Sequence, residues 1–369
     1  MDEKYMNMAL KLAELGRGYT SPNPLVGAVV VKDGNVVGSG YHRAAGGPHA
    51  EICAIEEAGL KARGATLYVT LEPCNHVGRT PPCTEAILRS GIKRVVIGTR
   101  DPNPDVKGGG VEFLREHGIE VITGILEKDV KRQNEFFIKY VTTKQPFVIL
   151  KSALTLDGSI ATSTGDSKWI SNSASREFVH RLRHAVDAVM VGIGTIRRDD
   201  PRLTTRLKDV DSSDPIRIIL DTRLTISPDS KVLNLDSDSD TIIVTGSNID
   251  RERLKRLKRP GIDFMTAAVK DGLIELSPLM SILGKRGITS LLIEGGSRVN
   301  GSAISAGIVD KIILFYAPRI LGGNDGFPLF TGKGVLNIRD TIRVSDIRVH
   351  QFEDDLMIEG YLKGGHQQA

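Results

Sequence analysis

The sequence predicts a protein of two α/β domains, with residues 1–145 forming the first and residues 146–369 the second. Three observations lead to this fold class. Strand-like and helix-like patterns alternate along both halves, which is typical of α/β proteins. The polar stretch 142–145, followed by Pro146, interrupts the pattern and predicts a joint. The two halves share no internal repeat, so we expect two different domains with two different sites.

The first half begins with a predicted helix, followed by a hairpin. The apolar residues Met8, Leu12 and Leu15 recur at helical spacing. Asp33-Gly34 is a dipeptide typical of hairpin turns and lies between two short apolar runs. One hairpin before alternating strands and helices favours a mixed three-layer sheet. The expected elements are helices over 4–15, 49–60, 83–90, 110–117 and 127–140, and strands over 26–31, 36–41, 66–71, 94–99 and 120–123.

The second half restarts with a strand directly after Pro146. Its β-rich runs again alternate with helical patterns, and two polar runs near the end of the chain predict an antiparallel hairpin. The basic run 251–259 predicts one solvated helix face. The expected elements are strands over 147–153, 188–191, 216–221, 241–245, 263–265, 290–293, 311–317, 342–350 and 355–362, and a helix over 173–185.

The composition is ordinary for a globular protein, with 25% charged and 40% hydrophobic residues among 369. Lys and Arg total 49 against 45 Asp and Glu, so the net charge of +4 does not favour a nucleic-acid binder. Aromatic residues make up only 5%, with Trp169 the single tryptophan, so base stacking is not expected. No apolar stretch approaches the ~18 residues of a membrane span, and the first residues lack the order of a signal peptide.

Three cysteines in a chain of this length do not predict a disulfide framework. We therefore expect a reducing, cytoplasmic environment in which thiols stay free for a metal or for catalysis. Cys53 follows His49 by one helical turn, and we interpret it as a small core residue rather than a ligand.

A histidine and two cysteines form the strongest chemical pattern. His49-Ala50-Glu51 is followed by Pro73-Cys74 and then by Cys83. One imidazole and two thiolates give zinc three ligands, and an open fourth position is typical of a catalytic site. At a helix start, Glu51 would contact the water on the metal rather than the metal itself. The alternatives are a structural zinc knuckle, which would lack its fourth ligand, and an accidental grouping.

The pattern is close to the signature of zinc nucleobase deaminases, H-x-E followed by P-C-x-x-C. It departs from that signature in one place, because eight residues, 75–82, separate the two cysteines. The longer loop adds His76 and Arg79 beside the expected metal, which suits a substrate that carries an anionic group.

Several ordered segments make the chain similar to a known family. These segments are 21–27 (SPNPLVG), 48–51 (PHAE), 71–74 (LEPC), 80–83 (TPPC) and 101–104 (DPNP). Together they closely resemble bifunctional riboflavin-biosynthesis enzymes, in which a diaminohydroxyphosphoribosylaminopyrimidine deaminase is fused to a 5-amino-6-(5-phosphoribosylamino)uracil reductase. The resemblance covers essentially the whole chain; in the second half it depends on segments 151–158, 165–170, 199–204 and 294–296 taken as a set.

For the first domain the resemblance implies a cytidine-deaminase-like three-layer fold that binds Zn²⁺. It implies that His49, Cys74 and Cys83 bind the metal and that Glu51 is the catalytic proton carrier. Zinc makes hydroxide available near neutral pH, and the carboxylate moves the proton to the ring nitrogen and then to the leaving amine. The implied substrate contacts are Asn23, His42, His76, Arg79, Asp101 and Asn103. For each of these, a loop-stabilising hydrogen bond is the alternative role.

Glycines in the second half indicate a phosphate site. The run 192–197 (GIGTIR) begins like a dinucleotide fingerprint but has Arg197 in place of the third glycine, so it has little weight alone. The run 291–297 (LLIEGGS) predicts a strand that leads through two glycines into a helix near Ser297, where backbone N–H groups can approach a phosphate. A simple strand-to-helix turn would use the same glycines.

For the second domain the resemblance implies a dihydrofolate-reductase-like fold that uses NADPH, and it is consistent with a homo-oligomer. The implied cofactor contacts are Ala153, Trp169, Thr195, Asp199, Thr222, Gly296, Ser297, Arg298, Val299, Asn300, Gly301 and Ser302. The implied substrate contacts are Ser167, Arg183, Leu203, Arg206 and Glu294, joined by Lys151. The two arginines suit a ribose phosphate, and Lys151 suits ribose hydroxyls or proton transfer. The residues identify no unique proton donor in this half.

Three other functions are alternatives to this one. A nucleic-acid or nucleoside zinc deaminase with an appended binding domain predicts a two-residue cysteine gap, a basic strand path and stacking aromatics, none of which is clear. A non-catalytic zinc module would not need Glu51, and a reductase with an inactive deaminase half would not need the intact ligand set. The favoured function is deamination of 2,5-diamino-6-(5-phosphoribosylamino)pyrimidin-4(3H)-one, followed by NADPH-dependent reduction of its ribosyl group to ribityl. The expected partner is this small phosphorylated pyrimidine, with no nucleic acid and no membrane.

Overall fold

The computed structural model describes residues 1–75, 81–105, 109–208 and 211–362. The chain divides into two compact units, Met1–Lys144 and Gln145–Ala369. Each unit is built around its own sheet, and both are α/β. None of the helices in the described ranges is both long enough and apolar enough to cross a bilayer.

Among its described residues, the first unit has five strands and six α-helices. Its strands are β1 (Gly27–Lys32), β2 (Asn35–Tyr41), β3 (Thr66–Leu71), β4 (Arg94–Thr99) and β5 (Glu120–Thr123). Its helices are α1 (Asp2–Glu14), α2 (Ala50–Ala58), α3 (Cys83–Ser90), α4 (Gly110–Glu116), α5 (Glu127–Gln133) and α6 (Glu135–Thr143). The strand order is β2-β1-β3-β4-β5, in which β1 is antiparallel to β2 and β3, and β3, β4 and β5 are parallel. The predicted mixed sheet is confirmed.

The side chains of β1 point alternately to the two faces of the sheet, and this explains the three layers of the unit. Val29 and Val31 pack with Met6 of α1 on one face. Ala28 and Val30 belong to the other face, whose core also includes buried residues of α2, α3 and α4. Successive side chains of a strand point to opposite faces, so one apolar strand supports helices on both sides.

The single helix predicted over 127–140 is wrong, because the structure has two helices that meet at Asn134. The Asn134 side chain is buried; its Oδ1 accepts a hydrogen bond from the Leu25 N–H at 2.8 Å, and its Nδ2 donates to the Leu25 carbonyl at 3.0 Å. These bonds to a distant backbone segment hold Asn134 outside helical geometry, with ψ of 20°. The helical periodicity of the sequence carries no sign of this tertiary contact.

In the ranges that the structure describes, the second unit has a nine-stranded sheet, two short strand pairs and five α-helices. Its strands are β6 (Phe147–Thr155), β7 (Ser159–Ala161), β8 (Ala188–Gly192), β9 (Ile216–Leu220), β10 (Thr241–Thr245), β11 (Ile262–Thr266), β12 (Val269–Lys270), β13 (Leu273–Ile274), β14 (Ser290–Ile293), β15 (Lys311–Ala317), β16 (Phe327–Pro328), β17 (Val344–Phe352) and β18 (Asp355–Leu362). Its helices are α7 (Ser173–Ala185), α8 (Ile193–Asp199), α9 (Arg251–Leu257), α10 (Leu276–Lys285) and α11 (Ser297–Ser305).

The large sheet has the order β11-β10-β9-β8-β14-β6-β15-β18-β17. All neighbours from β11 to β15 are parallel, whereas β15–β18 and β18–β17 are antiparallel. The predicted hairpin near the C-terminus is therefore confirmed. Helix α10 and the β12–β13 hairpin are not among the elements expected from the sequence. In α10 the buried residues recur at helical spacing: Leu276, Leu279, Met280 and Leu283.

Candidate active sites

The predicted metal ligands come together at the start of two helices in the first unit. His49 is the residue before α2, Cys83 is the first residue of α3, and Cys74 follows β3. His49 Nδ1 lies 3.2 Å from Cys83 Sγ and 3.5 Å from Cys74 Sγ, and the three donor atoms all lie within 4.8 Å of one another. One nitrogen and two sulfur donors at this separation fit a tetrahedral zinc ion that keeps one open position.

Local hydrogen bonds favour a thiolate at Cys74. The Cys83 thiol and the His49 imidazole lie beside Cys74 Sγ, and the Cys83 backbone N–H donates to it at 3.4 Å. The Cys83 thiol makes the largest contribution, and together these donors lower the pKa of Cys74 to about 4 although burial raises it. Metals bind cysteine as the thiolate, so the cluster is electrostatically suited to a cation.

Glu51 is buried in the first turn of α2, with 3% of its surface exposed. Burial is the main cause that raises the pKa of Glu51 to about 7; His49 opposes the shift and Cys74 adds to it. A carboxyl group that titrates near neutral pH can both accept and release a proton during one reaction cycle.

A hydrogen-bonded chain connects His42 to Asn23 beside the metal cluster. His42 Nδ1 donates to the Pro48 carbonyl at 3.1 Å, which leaves Nε2 to accept from the Asn23 amide nitrogen at 3.0 Å. Burial lowers the pKa of His42, in keeping with this neutral form. The His42 ring stands edge-on to His49, with ring centres 5.7 Å apart.

Two of the other predicted substrate residues of this unit lie together in the described part of the chain. Asp101 and Asn103 follow β4, where Asp101 Oδ1 accepts from the Asn103 N–H at 2.9 Å. His76 and Arg79 lie outside the described residues. Cys53 is half-buried on α2 and is not among the donor atoms of the cluster, although its burial is less complete than a core role predicts.

A cavity of about 1430 Å³ lies at the carboxyl ends of parallel strands in the second unit. Residues that follow β8, β9 and β14 line it, among them Thr195, Thr222 and Glu294. Ligands of open α/β sheets bind at this edge. Two of the predicted cofactor residues, Asn300 and Gly301, are absent from its lining, whereas the rest line it: Ala153, Trp169, Thr195, Asp199, Thr222, Gly296, Ser297, Arg298, Val299 and Ser302.

Glycines let the start of α11 approach this cavity. An added Cβ at Gly295 or at Gly192 would lie 2.8 Å from Val299, so both positions need glycine. Gly296 precedes α11, and no side chain caps the helix there. The first N–H groups of the nine-residue helix therefore stay available to a phosphate of the cofactor, which fits a dinucleotide.

The segment 328–331 contacts α11 through two side chains and one glycine. Ser297 Oγ donates to the Pro328 carbonyl, and Asn300 Nδ2 donates to the Leu329 carbonyl at 3.1 Å. An added Cβ at Gly301 would lie 2.0 Å from the Thr331 carbonyl oxygen. Asn300 and Gly301 thus contact this segment and do not line the cavity.

Two predicted substrate residues pair with each other inside the cavity wall. Arg183 donates from Nε and Nη2 to the two oxygens of Glu294 at 2.7 and 2.9 Å, and from Nη1 to the Thr204 carbonyl at 3.0 Å. Both side chains are about nine-tenths buried. Although burial raises it, the pKa of Glu294 is lowered to about 2 by Arg183. Burial lowers the pKa of Lys151, whose Nζ lies 5.6 Å from the Phe315 ring centre.

His180 lines the cavity and is not among the residues predicted from the sequence. Its Nε2 lies 3.3 Å from Nη2 of Arg206, and because arginine can only donate, His180 is the acceptor. Burial, together with Arg183 and Arg206, lowers the pKa of His180 to about 4. Its position three residues before Arg183 on α7 is the sequence signal that could have identified it.

The remaining predicted contacts also line the cavity. Ser167 Oγ lies 3.5 Å from Asp199 Oδ1, and burial raises the pKa of Asp199. The Trp169 ring is exposed and stacks with the Arg176 guanidinium at 4.6 Å. Leu203 is buried in the wall.

Family models match both halves of the chain. The cytidine and deoxycytidylate deaminase zinc-binding region matches residues 1–99, and the RibD C-terminal domain matches residues 146–358. The riboflavin biosynthesis protein RibD of Aquifex aeolicus is 46% identical over 358 residues, which cover 97% of this chain and 98% of that protein. The RibD protein of Escherichia coli K12 is 39% identical over 350 residues, covering 92% and 93%.

Solved structures resemble the whole chain as well. A diaminohydroxyphosphoribosylaminopyrimidine deaminase/5-amino-6-(5-phosphoribosylamino)uracil reductase from Thermotoga maritima superposes with a TM-score of 0.86 at 43% identity and covers 98% of both chains. RibD from Acinetobacter baumannii superposes with a TM-score of 0.87 at 36% identity, again covering 98% of both chains.

Proposed function

The chain belongs to the RibD family of riboflavin-biosynthesis proteins, and we propose how its residues divide the two activities of that family. It is a bifunctional enzyme, with a zinc-dependent deaminase domain and an NADPH-dependent reductase domain. We assign residues 1–145 to the deaminase and 146–369 to the reductase; the division of the chain after Lys144 supports this boundary.

In the deaminase, His49, Cys74 and Cys83 hold the zinc. When bound, zinc acidifies a water molecule and so supplies the nucleophile for the pyrimidine carbon that carries the 2-amino group. Glu51 would accept one proton from that water and deliver it to the ring nitrogen, and would then carry the second proton, from the hydroxyl group added to the carbon, to the amino group, which leaves as ammonia. The observation that supports this role is the buried Glu51 carboxyl group beside the three metal donors. Asn23, His42, Asp101 and Asn103, with His76 and Arg79, orient the substrate.

In the reductase, the uncapped start of α11 holds a cofactor phosphate. NADPH supplies a hydride for C1 of the opened ribosylamino group, which gives the ribityl product. Lys151 and Glu294 lie together in the wall and contact the ribose hydroxyls. Arg206 is exposed, held by Thr204 Oγ1 at 3.2 Å and by His180, and it contacts the substrate phosphate.

A two-stage assay tests the assignment of deamination to the first domain and of reduction to the second. The chain is incubated with the diaminopyrimidine substrate, first without and then with NADPH, and products are identified by mass spectrometry. We expect loss of one amino group and release of ammonia without NADPH, and the ribityl product only when NADPH is added. Turnover of single-stranded DNA, RNA or a nucleoside in place of this substrate would support the rival deaminase function.

We also propose that the chain forms a homo-oligomer through β17. This strand lies at the edge of the nine-stranded sheet and exposes Ile347 and Val349, which are 58% and 60% accessible. Exposed apolar residues on an open strand edge favour pairing with a second copy. Light scattering after gel filtration should give more than one chain per particle, and a double change of both residues to glutamate should reduce it to one.

A cytoplasmic location and a small-molecule partner complete the proposal. The three thiols are all free, which suits a reducing compartment, and the small net charge of +4 gives no strong field for a polynucleotide. Cell fractionation and a gel-shift assay with single-stranded DNA and RNA test these two points. Recovery in the membrane fraction, or binding that weakens steeply with salt, would contradict them.

A further inference from the structure

Glu72 carries a buried carboxylate that the catalytic assignments leave unused. It follows β3 directly and precedes Cys74 by two residues. Oε1 accepts a hydrogen bond from the Val111 N–H at 2.9 Å, and Oε2 accepts one from the Asp101 N–H at 3.2 Å. Its own N–H donates to the Thr99 carbonyl at 3.0 Å. One side chain thus connects the strand end before a metal ligand to two other backbone segments.

The bond to Asp101 begins a series of similar contacts. Asp101 Oδ1 accepts from the Asn103 N–H at 2.9 Å, and Asn103 Oδ1 accepts from the Asp105 N–H at 3.1 Å. Each side chain in the series fixes the backbone of a residue further along the loop. Glu72 is the first acceptor of the series and connects the loop to the strand end that precedes Cys74.

The second bond depends on a close approach of α4. An added Cβ at Gly110 would lie 2.2 Å from the Pro73 carbonyl oxygen and 3.3 Å from Glu72 Cγ. Only glycine lets the first turn of α4 lie this near Pro73, and this contact brings the Val111 N–H to Glu72. The backbone N–H groups of Asp101 and Val111 therefore both bind the Glu72 carboxylate.

We propose that Glu72 is a positioning residue of the deaminase, which fixes the Asp101–Asn103 loop relative to Cys74 without touching the substrate. This inference rests on the proposed function, which assigns Asp101 and Asn103 to the pyrimidine side of the site. The carboxylate is required because two N–H donors converge on it. In Glu72→Gln, the NH₂ group would face one of those donors, so one bond is lost and two donors oppose each other.

A double-mutant cycle on the full-length zinc-loaded protein tests the proposal. We compare Glu72→Gln, Asp101→Ala and the double variant for zinc content, for kcat and KM of deamination, and for reductase activity on the deaminated intermediate. Glu72→Gln should keep its zinc and its reductase activity, with KM raised at least roughly tenfold and kcat nearly unchanged, since a bond to a charged acceptor is lost. In the Asp101→Ala background, Glu72→Gln should raise KM little further, because Glu72 acts through Asp101.

Each outcome separates this inference from the proposed function. A normal KM in Glu72→Gln, with a raised KM in Asp101→Ala, overturns the inference alone, and so does loss of zinc, since Glu72 would then support Cys74. A normal KM in Asp101→Ala overturns the assignment of Asp101 to the substrate site. If Glu72→Gln does not fold, Gly110→Ala carries the test: it should raise KM through the same loop while zinc is retained, and a normal KM there contradicts the proposal.

Discussion

Glu51 and the metal ligands should give different phenotypes when they are changed one at a time. Glu51→Gln preserves shape but removes the proton carrier, so we expect full zinc content and a fall in deamination of at least ~10²–10⁴-fold. Cys74→Ala removes a ligand and should lose the zinc itself. Elemental analysis and an ammonia assay separate the two, and reductase activity on the deaminated intermediate is the control in each case. Near-normal deamination by Glu51→Gln would exclude the proton-carrier role.

The buried pair of Arg183 and Glu294 makes a second residue-scale prediction, about stability and pH. Breaking a buried ion pair by removing one partner costs ~3–5 kcal/mol, so Arg183→Ala should lower the free energy of unfolding by that order. Because the folded-state pKa of Glu294 is lowered to about 2 from 4.5, the pair stabilises the fold above pH 4.5, and this contribution is lost as the pH falls towards 2. The acid-dependent loss should be absent from Arg183→Ala.

Urea unfolding followed through Trp169 measures this effect, because the single tryptophan lies in the second unit. Arg206→Ala is the matched control: its side chain is exposed, so stability should hold, while binding of the phosphorylated substrate weakens by ~1.5–3 kcal/mol. NADPH affinity should stay nearly constant in Arg206→Ala. Equal stability of Arg183→Ala and the parent chain at pH 7 would contradict the inferred contribution of the pair.

At this scale the sequence was informative where chemistry dictates residue type. The spacing of His49, Cys74 and Cys83 indicated a metal cluster because few other functions need one imidazole and two thiols together. It did not reveal the roles of Glu72 or His180, since buried carboxylates and histidines look alike in sequence whether they bind a ligand or the backbone. It also could not show that Arg183 is bound by Glu294, because 111 positions separate the two.

At the scale of elements, the contact between α11 and segment 328–331 should control cofactor binding. In Gly301→Ala the new methyl group would overlap the Thr331 carbonyl oxygen, so either the helix or the segment must shift. Overpacking of this kind costs ~1–3 kcal/mol. We expect a lower melting temperature and weaker NADPH binding, measured by thermal unfolding and by fluorescence titration.

Gly334→Ala is the matched control for this change, because an added Cβ there meets nothing within 4 Å and its φ is not positive. Gly334→Ala should leave the melting temperature and the NADPH affinity unchanged. If Gly301→Ala binds NADPH with the affinity of the parent chain, the start of α11 is not the cofactor site. The deaminase rate serves as an internal reference in both variants.

Elements with strong local signals were predicted well, and those set by tertiary contacts were not. Strands such as β4 and β14, and helix α7, have the bounds that their apolar periodicity predicts. The break at Asn134 and the short β7–β16 pair depend on partners far along the chain. Apolar periodicity indicates which face of one element is buried, so it does not predict which distant residues that element contacts.

At the scale of the whole molecule, the two activities should be separable. A fragment ending at Lys144 should bind zinc and deaminate, and a fragment starting at Gln145 should oxidise NADPH only with the deaminated substrate. Each keeps its complete sheet and its own site residues. Circular dichroism establishes that each fragment folds before the assays. A folded first fragment that binds zinc but has no deaminase activity would contradict the independence of the two activities.

The position of β6 in its sheet has a consequence for synthesis of the protein. β6 is the first strand of the second unit, yet its neighbours are β14 and β15, and the Val148 N–H bonds to Asp310 162 positions later. The strands of the first unit are all present once its final helix leaves the ribosome. The apolar strand β6 therefore stays unpaired for seconds, until the ribosome has synthesised β14 and β15. We therefore expect the deaminase to become active on stalled nascent chains, and the reductase half to depend more strongly on chaperones that shield an unpaired strand.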